Sequence, residues 1–175
     1  MDYKTLRIRI MARSEFSQEE AANLASADER KFRQWVDRRM ILPTAETRFY
    51  GRGKAKLFDT SEIAIARVLG KAARSGIDMV TQTQIADWLR SHSGGDFFQR
   101  AKRGEPVYVR LCVAETGEWS GDFALAHTHG KELKIPVTRP MGDEPADFMM
   151  IFNLNEVFQV VDALFTEEET NTDTP

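Results

Sequence analysis

The chain has 175 residues, 42% of them hydrophobic and 29% charged, which is typical of a globular protein with one or two domains. No run of about 18 apolar residues suits a membrane span, and the start of the chain has no signal-peptide pattern. Cys112 is the single cysteine, which excludes an intramolecular disulfide. From these features we expect a cytoplasmic protein with no membrane partner.

The formal net charge of −3 conceals a division of charge along the chain. Residues 1–110 hold 21 Lys and Arg against 14 Asp and Glu, a net charge of +7; residues 111–175 hold 3 against 13, a net charge of −10. A basic half of this kind attracts nucleic-acid phosphates, and the acidic half then has another role. The alternative is a merely solvated charged surface, which the motif described below disfavours.

Residues 3–10, YKTLRIRI, alternate between apolar residues and arginines, which predicts a half-buried strand. This strand could pair with the hairpin described below, pair with a C-terminal sheet or lie along DNA as a basic arm. The sequence does not choose among these, although a structural strand is the simplest.

Two short helices joined by a tight turn are predicted next. Ser17 and Glu20 form a capping-box pattern at the first helix, and Asp28 is placed to cap the second. Pro43 is expected to end the second helix. Apolar residues at helical spacing give this helix an inward face: Phe32, Trp35, Val36 and Met40. Polar and basic residues remain on its outer face: Arg30, Lys31, Arg33, Gln34 and Arg38.

A basic turn follows, with Gly51-Arg52-Gly53 between the apolar runs Phe49-Tyr50 and Leu57-Phe58, and this predicts a two-stranded hairpin. Two helices and a basic hairpin describe a winged helix-turn-helix, whose second helix enters the major groove of DNA. The hairpin would place its side chains on phosphates or in the adjacent minor groove: Arg48, Tyr50, Arg52, Lys54 and Lys56.

Over about residues 16–90 the sequence resembles the DNA-binding domain of MerR-type regulators. The aromatic residue that opens the family's first helix is matched by Phe16, and its R-x-W/Y signature by Arg33-Gln34-Trp35. Its LLxP-like exit is matched by Met40-Ile41-Leu42-Pro43, and the end of its wing by Phe58-Asp59. The resemblance implies that Arg33 could clamp a phosphate instead of reading a base.

The sequence departs from the family pattern at three places. Ser26 and Arg39 stand where the family usually has Gly, so these turns must be built differently or carry mild strain. The family's dimerising coiled coil has no counterpart, because no heptads continue past Leu89.

Two further helices are predicted at residues 61–75 and about 81–91. Gly76 is expected to cap the first of them in the left-handed conformation. Gly70 lies in the interior of that helix, where Gly costs about 1 kcal/mol, so we expect it to reflect close packing.

The predicted fold is α+β in four parts: a winged helix-turn-helix domain (1–92), a linker with one helical turn (93–105), an antiparallel α+β module (106–165) and a disordered acidic tail (166–175). Strands of the module are predicted at 106–115, 119–126, 131–137 and 147–153. A closing helix follows, with Asn153 as its N-cap and Glu156 at position N3.

The module offers little for catalysis or metal binding. His127 and His129 would share a strand face, but with Cys112 they lack the number and spacing of ligands usual for a metal site. No nucleophile or phosphate-loop motif occurs, so we expect neither an enzyme nor a cofactor. The aromatic residues could line a small-molecule pocket, but a core role is favoured: Tyr108, Trp119 and Phe123.

We therefore expect a sequence-specific, MerR-like transcriptional regulator that binds double-stranded DNA as a homodimer. Its acidic half would dimerise, sense a ligand or contact RNA polymerase or another protein. Two alternatives remain: an excisionase-like architectural factor that bends DNA, and an interaction adaptor that has lost DNA binding. The outer arginines could also merely pair on the helix surface with Glu29 or Asp37.

Overall fold

The computed structural model describes residues 15–49, 55–113, 118–125, 127–129, 132–134, 148–156 and 158–159. Within these ranges the chain is a mixed α+β protein with five helices and small antiparallel sheets, as predicted at that level. Four predictions lie outside them: the strand at 3–10, the hairpin tip with Tyr50, Arg52 and Lys54, most of the closing helix, and the acidic tail.

The helical half contains β1 (Glu15–Ser17), α1 (Gln18–Leu24), α2 (Glu29–Asp37), β2 (Leu57–Asp59), α3 (Thr60–Arg74) and α4 (Met79–His92). The remainder contains α5 (Asp96–Lys102), β3 (Val107–Val113), β4 (Trp119–Leu125), β5 (His127–His129), β6 (Glu132–Lys134) and β7 (Phe148–Asn153). Strands β4, β3 and β7 form one antiparallel sheet in that order, and β5 pairs with β6.

The predicted starts of the first two helices are confirmed, because each rests on hydrogen bonds between near neighbours. Glu20 Oε2 accepts from the Ser17 backbone N at 2.8 Å, and Ser17 Oγ accepts from the Glu20 N at 3.3 Å. Asp28 Oδ1 accepts from the Lys31 N at 3.1 Å at the start of α2. These caps satisfy backbone donors that have no partner within the helix.

Pro43 does not end α2; the helix ends at Asp37, and this prediction was wrong. Arg39 takes the left-handed conformation at φ 60°, and its N donates to the Val36 O at 3.0 Å. Met40 N donates to the Trp35 O at 2.8 Å, which completes a Schellman motif. Met40 is therefore outside the helix, yet its side chain is fully buried as predicted.

The predicted hairpin partner of Leu57-Phe58 differs from the observed one. These residues do form a strand, β2, but it pairs with β1, and Phe58 lies opposite Phe16. Residues 45–49 form turns. The buried Phe58 ring packs edge-on against Phe32 of α2, with centroids 5.2 Å apart. The β1–β2 pair thus joins the start of α1 to the start of α3 across the core.

Stacked aromatic rings connect the core of the helical half to the three-stranded sheet. Phe123 of β4 stacks on Trp88 of α4 on one side and on Phe97 of α5 on another, at 5.0 and 5.1 Å. The predicted linker therefore contains a packed helix, and its Phe98 is fully buried. Trp119 and Phe123 pack against the core, as favoured from the sequence.

Ion pairs link the segment that follows β7 to α3. Asn153 Oδ1 accepts from the Asn155 N at 3.0 Å, as expected of an N-cap. Glu156 does not complete a capping box there; its carboxylate pairs with Arg67 at 3.1 Å and Lys71 at 3.2 Å. Burial raises the pKa of Glu156, but hydrogen bonds and charge from these two partners outweigh it, so the pKa lies below its usual value.

Gly70 and Gly121 differ in how much space surrounds their Cα atoms. A methyl group at Gly70 would lie 3.7 Å from the Trp35 ring, an ordinary contact, so close packing does not explain this glycine. A methyl group at Gly121 would lie 2.9 Å from Leu111 Cδ2 and 2.9 Å from the Trp88 ring, which is too close.

We expect Gly70→Ala to stabilise the protein by up to about 1 kcal/mol, because Ala is the better helix former. Gly121→Ala should destabilise it by about 1–2 kcal/mol through overpacking. Urea unfolding of the two variants measures both, and a stabilised Gly121→Ala would contradict the packing described.

Candidate nucleic-acid interface

The nine-residue helix α2 has one buried and one exposed face. Phe32, Trp35 and Val36 lie in the core. Because the apolar residues occupy that face at helical spacing, the polar residues between them turn outward. Four of the predicted contact residues are exposed and Lys31 is half-buried, so the structure brings all five onto one side of α2: Arg30, Lys31, Arg33, Gln34 and Arg38.

Few of these cations are neutralised by other residues that the structure describes. Arg33 pairs with Glu29 at 3.0 Å, which is one of the surface ion pairs considered in the sequence analysis. The two side chains are 61% and 53% exposed. Such a pair contributes about 0.3–0.5 kcal/mol, which a phosphate contact readily replaces. Arg30 and Arg38 form no ion pair with any residue that the structure describes.

A second group of cations lies beyond the end of α2, around what we call the basic groove. Its cavity measures about 610 Å³, and its cationic lining includes Arg39, Arg48 and Lys56. Arg48 and Lys56 were predicted as contact residues; Tyr50, Arg52 and Lys54 lie outside the described residues. The other groove residues are Val36, Asp37, Leu42, Pro43, Phe49, Asp87 and Arg90.

The segment that carries Arg48 is fixed to β2 by hydrogen bonds. Thr44 N donates to the Leu57 O at 2.8 Å. The buried Thr47 Oγ1 accepts from the Leu57 N at 3.0 Å and shares a further hydrogen bond with Thr44 Oγ1 at 3.0 Å. The turn at 44–49 therefore has a defined position beside α2.

Sequence reasoning missed Arg39 as a candidate contact residue. The available signal was its place at a turn where Gly is usual. The left-handed conformation costs a non-glycine residue about 1–2 kcal/mol, yet an exposed arginine occupies it beside two other cations. Strain of this kind concentrates at functional sites. The left-handed turn at the end of α2 thus places Arg39 in the lining of the basic groove.

An ion pair between α3 and α4 holds the exit of α2 in place. Arg90 Nε and Nη2 donate to the Glu62 carboxylate at 2.7 and 3.1 Å. Glu62 Oε2 also accepts from the Leu42 N at 2.9 Å, and Arg90 Nη2 donates to the Met40 O at 2.6 Å. Burial lowers the pKa of Arg90, but Glu62 and Asp87 outweigh it, so the pKa is raised and the charge is permanent.

The described residues contain no group of three or more His, Cys, Asp or Glu placed to hold a metal ion. Cys112 is buried, and burial together with the charge of Asp122 raises its pKa despite Arg110 nearby. His127 and His129 do form a strand, but their side chains are not described. Within the same residues, none of the helices has the length and apolar character needed to cross a bilayer.

No protein-family model matches this sequence, and comparison with curated proteins gives no match. The MerR-type resemblance therefore rests on the residues quoted above and stays a prediction. The described residues form two neighbouring basic surfaces, the outer face of α2 and the basic groove.

Removing the Glu62 carboxylate should release the exit of α2. We expect Glu62→Ala to destabilise the protein by about 2–3 kcal/mol, because it leaves the Arg90 charge and the Leu42 N–H without their acceptor. Urea unfolding measures the loss. Glu29→Ala, which breaks the exposed pair on α2, is the matched control and should cost under about 0.5 kcal/mol. Equal losses would contradict a special role for Glu62.

Replacing Arg39 separates strain from charge. Arg39→Gly should stabilise the protein by about 1 kcal/mol, because Gly adopts a positive φ without steric cost. Arg39→Ala removes the same charge but keeps the strained conformation, so it should bring no such gain. Thermal or urea unfolding of both variants provides the comparison. Equal stability of the two would show that the backbone at Arg39 is not strained.

Proposed function

We propose that this protein is a sequence-specific regulator of transcription that binds double-stranded DNA through a winged helix-turn-helix of MerR-like type. The observation that carries the proposal is the outer face of α2, where Arg30, Arg33 and Gln34 are exposed on a helix whose other face is buried, with Arg38 exposed directly after it. Helix α1 and a four-residue turn precede α2. This arrangement suits insertion of α2 into the major groove.

The residues divide by the contacts that they would make. Arg30, Arg33 and Gln34 belong to the first two turns of α2, from which side chains reach base edges: Arg pairs with guanine and Gln with adenine. Arg38 follows the last turn and suits a phosphate, as do Arg48 and Lys56 across the basic groove.

Useful specificity requires more contacts than one such domain supplies, so we propose a homodimer on paired half-sites. The sheet of β3, β4 and β7, together with the acidic chain beyond it, is the part proposed to dimerise or to contact polymerase or another protein. The net charge of −10 over residues 111–175 suits a basic protein partner better than DNA.

A salt series tests this function. Wild-type protein is incubated with random-sequence duplex, bound fragments are sequenced, and affinity is measured from low to high salt. We expect an enriched repeat and a steep salt slope. Arg30→Gln should relax sequence preference by about 1–3 kcal/mol, whereas Arg48→Gln should weaken all sequences alike and reduce the slope by about one unit.

Lys102→Gln is the control, because it removes one exposed positive charge from α5, outside both basic surfaces. It should leave the sequence preference unchanged. No duplex binding at low salt would overturn the proposed function, and salt-steep binding with no enriched sequence would show an architectural role instead of a regulatory one.

A further inference from the structure

Phe49 is an aromatic residue held out in solvent. Its side chain is 89% exposed, the largest exposure among the large hydrophobic residues that the structure describes. A single exposed apolar residue is common on protein surfaces. Phe49 is distinguished by its place, because it lines the basic groove together with three cations. Thr44 and Thr47 form hydrogen bonds with Leu57 and so hold the turn that precedes Phe49 beside β2.

The surroundings of Phe49 are cationic. Arg39, Arg48 and Lys56 line the same basic groove as Phe49. The fourth cation there, Arg90, is already neutralised by Glu62 and Asp87, at 2.7 and 2.9 Å. Asp37 is the remaining acid in the described lining, so the groove keeps an excess of positive charge around an apolar ring. This combination suits a ligand that presents negative charges beside flat apolar surfaces.

Nucleic acid has both features, since phosphates flank stacked bases. We propose that Phe49 is a wedge that inserts between two base pairs of the duplex bound by α2, while Arg39, Arg48 and Lys56 neutralise the flanking phosphates. The proposal rests on the proposed function and adds that binding kinks the DNA. Apolar wedges from the minor groove partly unstack a base step and kink the duplex by about 20–90°.

The position of the wedge follows from the position of α2. When α2 occupies the major groove, the segment after its exit reaches the backbone and the adjacent minor groove. Phe49 lies in that segment and lines the basic groove together with Arg39. The loss of base stacking is compensated by burial of the ring and by phosphate contacts that a straight duplex would not bring within reach.

The experiment uses duplexes recovered with the full-length wild-type chain. Bending is measured by circular-permutation gel mobility, and local unstacking by the fluorescence of 2-aminopurine placed at successive steps. We expect the wild type to bend the duplex by at least about 20° and to raise the fluorescence at one step. Phe49→Ala should lose both signals and bind about 10-fold more weakly, whereas Phe49→Leu, which keeps an apolar wedge, should retain the bend.

Val80→Ala is the matched control, because Val80 is another exposed apolar residue, at 69%, on α4 and outside the groove. It should leave the bend unchanged. Thermal unfolding should be the same for Phe49→Ala and wild type, since the ring contributes little to the core. Wild-type binding without a bend, or a bend that survives Phe49→Ala, overturns the wedge alone. Absence of any wild-type duplex binding overturns the proposed function and the wedge together.

Discussion

The bidentate ion pair of Glu62 and Arg90 is the interaction on which the basic surfaces depend. A nine-residue helix is marginal by itself in water, so the orientation of α2 comes from its packing and from whatever fixes its ends. Glu62 and Arg90 reach across from α3 and α4 and bond the backbone of Leu42 and Met40, directly after the helix. The same pair neutralises one cation of the basic groove, which leaves the others available to a ligand.

Backbone strain flanks α2 on both sides. Ser26 and Arg39, before and after the helix, have φ values of 52° and 60°, whereas the equivalent residues after α3 and α5 are Gly76 and Gly104. All four helix ends share the Schellman hydrogen bonds, so glycine would serve at each. Ser26 has a use for its side chain, because Ser26 Oγ accepts from Arg67 at 2.7 Å. Arg39 lines the basic groove, where its charge belongs to the surface proposed to contact DNA.

Ion pairs connect the basic and the acidic halves of the sequence in the folded protein. Within the basic half, Arg67 and Lys71 of α3 are paired with Glu156 from the acidic half. Among the residues that the structure describes, the outer face of α2 has no such acidic partner apart from the exposed Glu29. Intramolecular pairing therefore neutralises two of the three cations of α3, whereas the cations of α2 and the basic groove are mostly left without an acidic partner among the described residues.

Features that depend on near neighbours could be predicted from the amino-acid pattern. The caps at Ser17 and Asp28, the left-handed Gly76 and the outward face of α2 were all predicted, because hydrogen bonds and helical periodicity act over a few residues. The end of α2 at Asp37 is a local Schellman motif at Arg39, which the position of Pro43 did not predict. The partner of β2 and the place of Arg39 in the basic groove depended on the tertiary structure. These depend on contacts between residues far apart in the chain, such as Phe16 with Phe58 and Glu62 with Arg90, which no local pattern encodes.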